Sequence, residues 1–399
     1  MKIEEIEAEK AKLAKAHIDA EALRLLKDVV GTARVVPATV GVRADKNFYA
    51  TFLRSGEGDC IVFKTPGGKV VLVDCGSKRL DAEIGEAHDK FIWDSLNRPR
   101  YLFGTDKIHT LVFTHSDIDH YNRLAAVLDD DLTGQKMKVG RVYHTGAAED
   151  YKDAHTWLTG HMGDKKKIYR VVHNLDSKIK GTAISLNGVP VLAAPKDADV
   201  GYLDGDGGIR IIDETGPACT VTILAAGVEE DYWKAVHDKK DGDTPGAKNR
   251  ASIVMLIDVY GKKLLLSGDA TRSTELYMIS AGTYAAQTRE RIRGVDVMHI
   301  GHHGSKVTSS SPALLDVVQP KTEAIISAAR NGSRGHHLPS WPVVERYVTN
   351  LNARSLKANH KGWCWDLTVS RHEVQEMDIL APVYVTGSHG NLDIVWTGP

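Results

Sequence analysis

The chain has 399 residues, of which 42% are hydrophobic and 26% charged, with a formal net charge of -1. That composition is ordinary for a soluble globular protein of one large domain or two, and it excludes a global positive field that would draw the chain to nucleic acid. Cys60, Cys75, Cys219 and Cys364 show no paired spacing, so neither a zinc ribbon nor a disulfide framework is indicated. No apolar run reaches membrane-span length, and Met1 to Lys15 has mixed charge rather than the shape of a signal peptide. The expectation is a cytoplasmic protein with no membrane partner.

Residues 3–30 carry Ile3, Ile6, Leu13, Ile18, Leu25 and Val29 at near-helical intervals, with Glu and Lys between them. This pattern predicts an amphipathic helix that either packs on the domain or binds a partner, a second copy included. Gly31 and Pro37 end it, so a helical segment over 1–36 precedes a main domain over 37–399. Ala50–Arg54, Cys60–Phe63 and Val70–Asp74 follow as strands joined by glycine turns, and read as antiparallel hairpins. Ile108–Phe113 reads as a buried strand and Leu124–Leu128 as the start of a helix. Val139–His144 predicts another strand. Residues 145–217 read as an insertion of helices and a hairpin covering one side of the active site. Their run Lys165 to Lys167 is either a solvated face or a phosphate contact. Cys219–Ala225 is a strand, and Ser252–Val259 with Lys263–Ser267 forms a hairpin across Tyr260 and Gly261. Beyond Arg354, alternating segments with Trp363 and Trp365 predict strands completing the second sheet, with the aromatics in the core.

The chemistry concentrates between the strand Ile108–Phe113 and the helix that follows. Thr114-His115-Ser116-Asp117-Ile118-Asp119-His120 places six polar or ionisable side chains in seven positions. Two imidazoles and two carboxylates packed there need a common partner, and a divalent cation is the simplest. The alternative is a polar loop that caps the helix through Asp117 or Asp119. Three later stretches repeat the order of apolar strand, polar loop and helix. Leu264 to Ala270 puts Asp269 beside Gly268. Val297 to Lys306 puts His302 and His303 between Gly301 and Gly304, which would turn the backbone tightly around them. Ala324 to Pro339 contains Asn331, His336 and His337, which either donate to a phosphate oxygen or are simply exposed. Ser311 before Pro312 reads as a helix N-cap, so only the histidine pair and Lys306 call for a functional reason.

The string His-x-Asp-x-Asp-His after a hydrophobic strand resembles the first metal motif of the metallo-β-lactamase fold, usually His-x-His-x-Asp-His. The form with Asp at the third position resembles the hydrolase domain of the ComEC DNA-uptake proteins. Further motifs arrive in the same order: the Gly58-Asp59 turn, Asp74-Cys75-Gly76, Asn249-x-x-Ser252, Gly268-Asp269, and Gly-His-His-Gly-Ser-Lys at 301–306. At Gly335-His336-His337-Leu338-Pro339 the chain departs from the family's Gly-His-Pro by an extra His and Leu. The resemblance spans Thr51 to Val348, apart from the insertion.

What it implies is an α/β protein of the αββα sandwich type: two mostly antiparallel sheets face to face between helices, with metal at one edge. The implied ligands are His115, Asp117, Asp119, His120, Asp269, and one or both of His302 and His303, holding one or two divalent ions. His144 is the best-placed candidate for a third imidazole of the first site. Asp74 either orients a metal-bound imidazole or is a turn carboxylate. Asp117 in place of an imidazole makes the site harder and more anionic, shifting preference from Zn²⁺ toward Mn²⁺ or Mg²⁺. The implied reaction is metal-assisted hydrolysis by a bound hydroxide. Asp119 and His303 act at the centre, and Lys306 and His337 or His336 neutralise charge. The expected substrate is a nucleic acid or a small phosphodiester. Alternatives are a hydrolase of a small ester, lactone or lactam, and a non-catalytic metal-bound scaffold that binds a protein through its N-terminal helix.

Overall fold

In the computed structural model the described residues are 45–399 apart from 80–83, 86–87, 103–104, 130–136, 146–150, 163–166, 172–182, 187–188, 193–201, 204–207, 217, 229–246, 282–284, 331–336 and 368–372. The expected N-terminal helix, most of the lysine run, Asn331 and His336 therefore lie outside the described residues. The chain divides between Asp45 and Lys46.

Among the described residues, two large sheets dominate the unit Lys46–Pro399. The first runs, edge to edge, Val189–Leu192, Ala183–Leu186, Ile168–Val171, Val142–His144, Thr110–Val112, Val70–Val73, Ile61–Lys64, Phe48–Phe52 and Leu392–Trp396. The second runs Tyr202–Leu203, Ile209–Glu214, Cys219–Ala225, Val254–Val259, Lys262–Leu266, Val297–His299, Glu323–Ile326 and Val383–Val385. Side chains alternate across a strand, so each apolar strand feeds two cores. Leu264 and Leu266 join Phe52, Phe63, Val73 and Val112 in the core between the sheets. Leu265 faces the other way, into a core shared with Ile292, Leu314, Val343 and Tyr347 from the helices Ala285–Ile292, Pro312–Val318 and Trp341–Ala353. On the far side Val62, Leu72 and Leu111 pack with Ile92 and Leu96 of the helix His88–Leu96, and with Val127 and Trp157. The layers are helix, sheet, sheet, helix, which is the expected αββα architecture.

The strand directions differ from a mostly antiparallel pair of sheets in one respect that matters. Val70–Val73, Thr110–Val112, Val142–His144 and Ile168–Val171 are mutually parallel. So are Lys262–Leu266, Val297–His299, Glu323–Ile326 and Val383–Val385. Parallel strands bring their C-terminal ends to one edge, where the ligands of open α/β sheets gather. They are buried on both faces, which is why they read as continuous apolar runs.

Residues 145–217 contribute the helix Lys152–His161, three strands at the edge of the first sheet and two at the edge of the second. The tail also divides. Val383–Val385 completes the second sheet, whereas Leu392–Trp396 crosses to the first and stacks Trp396 on Phe48, ring centroids 5.1 Å apart. His360–Asp366 and Glu373–Ile379 form a separate hairpin. The four cysteines are free and buried. Among the described residues no helix is long and apolar enough to cross a membrane.

The loop 114–120 is clamped from below by backbone. Cys75 N donates to His120 O at 2.8 Å and Arg123 N to Cys75 O at 3.0 Å. The clamp is so close that a Cβ on Gly76 would stand 2.3 Å from Asp119 O and 2.5 Å from His120 N. Gly76→Ala should therefore destabilise the protein by ~1–3 kcal/mol, as overpacking against a rigid backbone does, read as a lowered denaturant midpoint. A wild-type midpoint would contradict the tight clamp.

Candidate metal centre

Asp269 follows the strand Lys262–Leu266 and is buried. Four imidazoles face it. Its Oδ2 lies 3.5 Å from His120 Nε2, 3.7 Å from His302 Nε2 and 3.8 Å from His115 Nε2. Its Oδ1 lies 3.6 Å from His303 Nε2. Asp119 Oδ2 approaches His303 Nε2 at 4.0 Å. Among the described residues, four overlapping donor groups form, His115-His120-Asp269, Asp119-His120-His303, Asp59-Asp74-His120 and Asp59-Asp269-His303, and His302 belongs to none of them.

Each imidazole is turned by its other nitrogen. His120 Nδ1 meets Asp74 Oδ2 at 2.8 Å. Asp74 is itself fixed by Thr114, whose N–H and hydroxyl donate to its two oxygens at 2.8 and 2.6 Å. Asp74 sits at a φ of 56° and is thus both the turn residue and the carboxylate that orients an imidazole. His303 Nδ1 faces the Ser327 carbonyl at 2.8 Å, an acceptor that fixes this nitrogen as the N–H. Its Nε2 lone pair is left pointing at Asp269 and Asp119. His302 Nδ1 is bonded to Thr308 Oγ1.

The turn at 301–304 is built differently from the simple expectation. Gly304 has a φ of 78°, but His302 and His303 themselves take 48° and 51°, whereas Gly301 is at -66°. Two successive non-glycine residues in the left-handed region carry strain, a state that persists where surrounding structure over-determines it. Ser311 does cap the next helix, accepting from Leu314 N at 3.2 Å with Pro312 at its start.

The electrostatics are opposed in kind. Burial drives His115 well below the usual imidazole range, and His302 and His299 also fall. Burial likewise lowers His120 and His303, but Asp269 outweighs it, helped by Asp74 at His120 and by Asp59 at His303, and both rise. Burial would raise Asp269, yet His303, His302 and His120 hold it well below the usual carboxylate range.

The donor set fits a divalent ion. His115 Nε2, His120 Nε2, His303 Nε2 and Asp269 Oδ1 are buried and have no hydrogen-bond partner. Buried polar atoms are nearly always paired, so several unpaired atoms converging on one point call for a shared partner. Two ligands of one ion at 2.0–2.1 Å lie about 3.0–3.4 Å apart. The observed separations of 3.5–4.0 Å are wider than that by a few tenths of an ångström.

Not every expected residue joins this cluster. Asp117 is 39% exposed, 3.9 Å from His115 Nε2 and 3.5 Å from Lys248 Nζ, and outside the donor groups. His144 ends its strand edge-on to the Tyr151 ring, 5.4 Å between centroids, and is also outside them. Lys306 is exposed on the following turn. His337 is half-buried against Trp365, ring centroids 4.7 Å apart. The structure brings in two residues that carried no role in the sequence. Asp59, from the Gly58-Asp59 turn, lies 4.0 Å from His120 Nδ1 and 3.8 Å from His299 Nε2. His299 also meets Ser327 Oγ at 3.1 Å. The order of the Gly-Asp turn in the chain was the available signal for Asp59, whereas nothing marked His299.

A stretch of 118 residues, 30% of the chain, is 34% identical to ComE operon protein 3 of Bacillus subtilis and covers 14% of that protein. A stretch of the same length, 29% of the chain, is 37% identical to Recombination protein 2 of Haemophilus influenzae and covers 13% of it. Over that stretch the chain is similar to two ComEC-type proteins, and it spans only about a seventh of their length. The solved metallo-β-lactamase fold protein YhfI of Bacillus subtilis is 11% identical, with 88% of this chain and 99% of that one covered and a TM-score of 0.39. No protein-family model matches. Buried histidines and aspartates at the ends of parallel strands form a cluster that could hold a divalent ion.

If Asp74 orients His120 for an ion, Asp74→Asn should weaken metal binding by about 10–100-fold, the usual effect of removing such a partner. Competition with a chromogenic chelator measures it. Wild-type affinity in the variant would show that Asp74 is a turn carboxylate only.

Proposed function

We propose that the protein is a metal-dependent phosphodiesterase that cleaves nucleic acid. The observation that carries the reading is the convergence of His115, His120, His302 and His303 on buried Asp269, with the Nε2 atoms of His115, His120 and His303 unpaired. The relatives give it direction: one is named for recombination, a process of DNA, and both match this chain by sequence. The chain's neutral balance means that contact with a polyanion relies on local groups beside the donor cluster; Arg289 and Arg291 are instead bonded to the Ile279 carbonyl and Thr222 Oγ1, by the opposite end of the strand that leads to Asp269.

His115, His120 and Asp269 would hold one ion, and Asp119 and His303 a second beside it. Such ions supply Lewis acidity toward a phosphoryl oxygen and an acidified water. The chain's own part is to hold the other ring nitrogen, so that the donor nitrogen is aimed inward. Asp74 does this for His120 and the Ser327 carbonyl for His303. Aspartates among the donors suit a hard ion, Mn²⁺ or Mg²⁺, as well as Zn²⁺. The buried walls exclude bulk water and strengthen every charge inside. Lys306 is exposed beside the His302–Gly304 turn, where a flexible ammonium can meet a phosphate.

The test is cleavage of single- and double-stranded DNA, RNA and a small phosphodiester with Mn²⁺, Mg²⁺ or Zn²⁺, using wild type and Asp119→Ala. Metal-dependent polymer cleavage that falls to background in the variant is expected. Hydrolysis of a carboxylic ester or lactone with no action on any phosphodiester would overturn the proposal.

A further inference from the structure

Lys248 stands beside the donor cluster and has no part in the reading so far. It lies in the short helix Ala247–Arg250, just before the strand that leads into Asp269's hairpin. Its ammonium donates to the Ser116 carbonyl at 3.0 Å and lies 3.5 Å from Asp117 Oδ1. Both acceptors belong to the loop that carries His115 and His120. An ammonium has three N–H donors, and two are directed at this loop. The side chain is 47% exposed, so the third can meet an acceptor arriving from solvent. The next residue, Asn249, is buried and brings its amide nitrogen to 3.3 Å from His302 Nε2. The dipeptide thus touches both the metal loop and His302, whose imidazole is 3.7 Å from Asp269.

The Asp117–Lys248 contact has no evident purpose in stability. Asp117 is 39% exposed and Lys248 47%. Ion pairs in that setting contribute little, because solvent screens them and two long side chains must be ordered. What the contact does is hold one positive charge at the exposed rim of a centre otherwise made of imidazoles and carboxylates.

We propose that Lys248 is the anion-binding residue of this site, held at its rim by Asp117 and the Ser116 carbonyl, and that it favours a phosphodiester over a neutral ester. The inference rests on the phosphodiesterase reading and deepens it. It also gives Asp117 a different task from that of its counterpart imidazole: anchoring the ammonium rather than holding the ion, in keeping with its place outside the donor groups.

Metal-loaded wild type, Lys248→Met, Lys248→Arg and Asp117→Asn decide it through three readouts. These are metal bound per chain, the dissociation constant for inorganic phosphate by equilibrium dialysis, and kcat/KM on bis(4-nitrophenyl) phosphate against 4-nitrophenyl acetate. Lys248→Met should keep its metal and bind phosphate at least about ten-fold more weakly, as loss of one charge-assisted hydrogen bond predicts. Lys248→Arg should recover most of that affinity. Asp117→Asn should keep its metal while phosphate binding weakens. Unchanged phosphate affinity in Lys248→Met, or loss of metal in Asp117→Asn, overturns the proposal. If wild type cleaves no phosphodiester, the phosphodiesterase reading fails by itself, while phosphate binding that depends on Lys248 still supports the anion site. Diester cleavage with phosphate affinity independent of Lys248 leaves that reading standing and removes this one.

Discussion

Everything at this site depends on one buried carboxylate, Asp269, and the positive charge that must surround it. An ionised carboxylate taken out of water without compensation is among the most costly groups a fold can bury. Here four imidazoles lie within 3.8 Å of it, and the pull of His303, His302 and His120 keeps it ionised against the effect of burial. The imidazoles are under the same constraint in reverse. Those nearest a second carboxylate, His120 and His303, rise above their usual range, while His115 is driven down. An arrangement of this kind is poorly satisfied by its own members, as the unpaired nitrogens of His115, His120 and His303 show. A cation resolves the conflict for all of them together.

The fold supplies the positions. Two blocks of parallel strands, one in each sheet, end at a common edge, and the loops leaving them carry His115, Asp269, His303 and Ser327. Antiparallel neighbours such as Phe48–Phe52 and Cys219–Ala225 extend the sheets away from the chemistry and thicken the core between them. Precision comes from the loops' anchors rather than from the strands alone. The Asp74 turn grips Thr114 and His120 at once, and the Ser327 carbonyl sets His303 from the neighbouring strand end.

Much of this was legible in the sequence because the donors come in short strings. Residues 114–120 and 301–306 each place candidate donors after an apolar run, and Gly268-Asp269 repeats the position. The sandwich was legible only through the family resemblance those strings carry, since no single period of apolar residues reveals how two sheets pair. Other features were not legible for physical reasons. Parallel and antiparallel partners are chosen by contacts between distant segments, so the parallel blocks could not be read from local alternation. The last strand, Leu392–Trp396, looks like its neighbours in the tail, and only the fit of Trp396 on Phe48 sends it to the first sheet. His144 ends a strand as the metal loop does, and its ring lies against Tyr151. Lys248 and His299 are single residues with unremarkable surroundings in the chain, and their meaning is wholly a matter of which loop they meet.

The most direct test of the central claim is equilibrium dialysis of chelator-stripped protein against Mn²⁺ and Zn²⁺, with wild type and Asp269→Ala compared and folding checked by circular dichroism. One or two ions bound per wild-type chain, lost in a variant that remains folded, is the result this account predicts. A wild type that binds no ion, or a variant that binds as many as wild type, would contradict it.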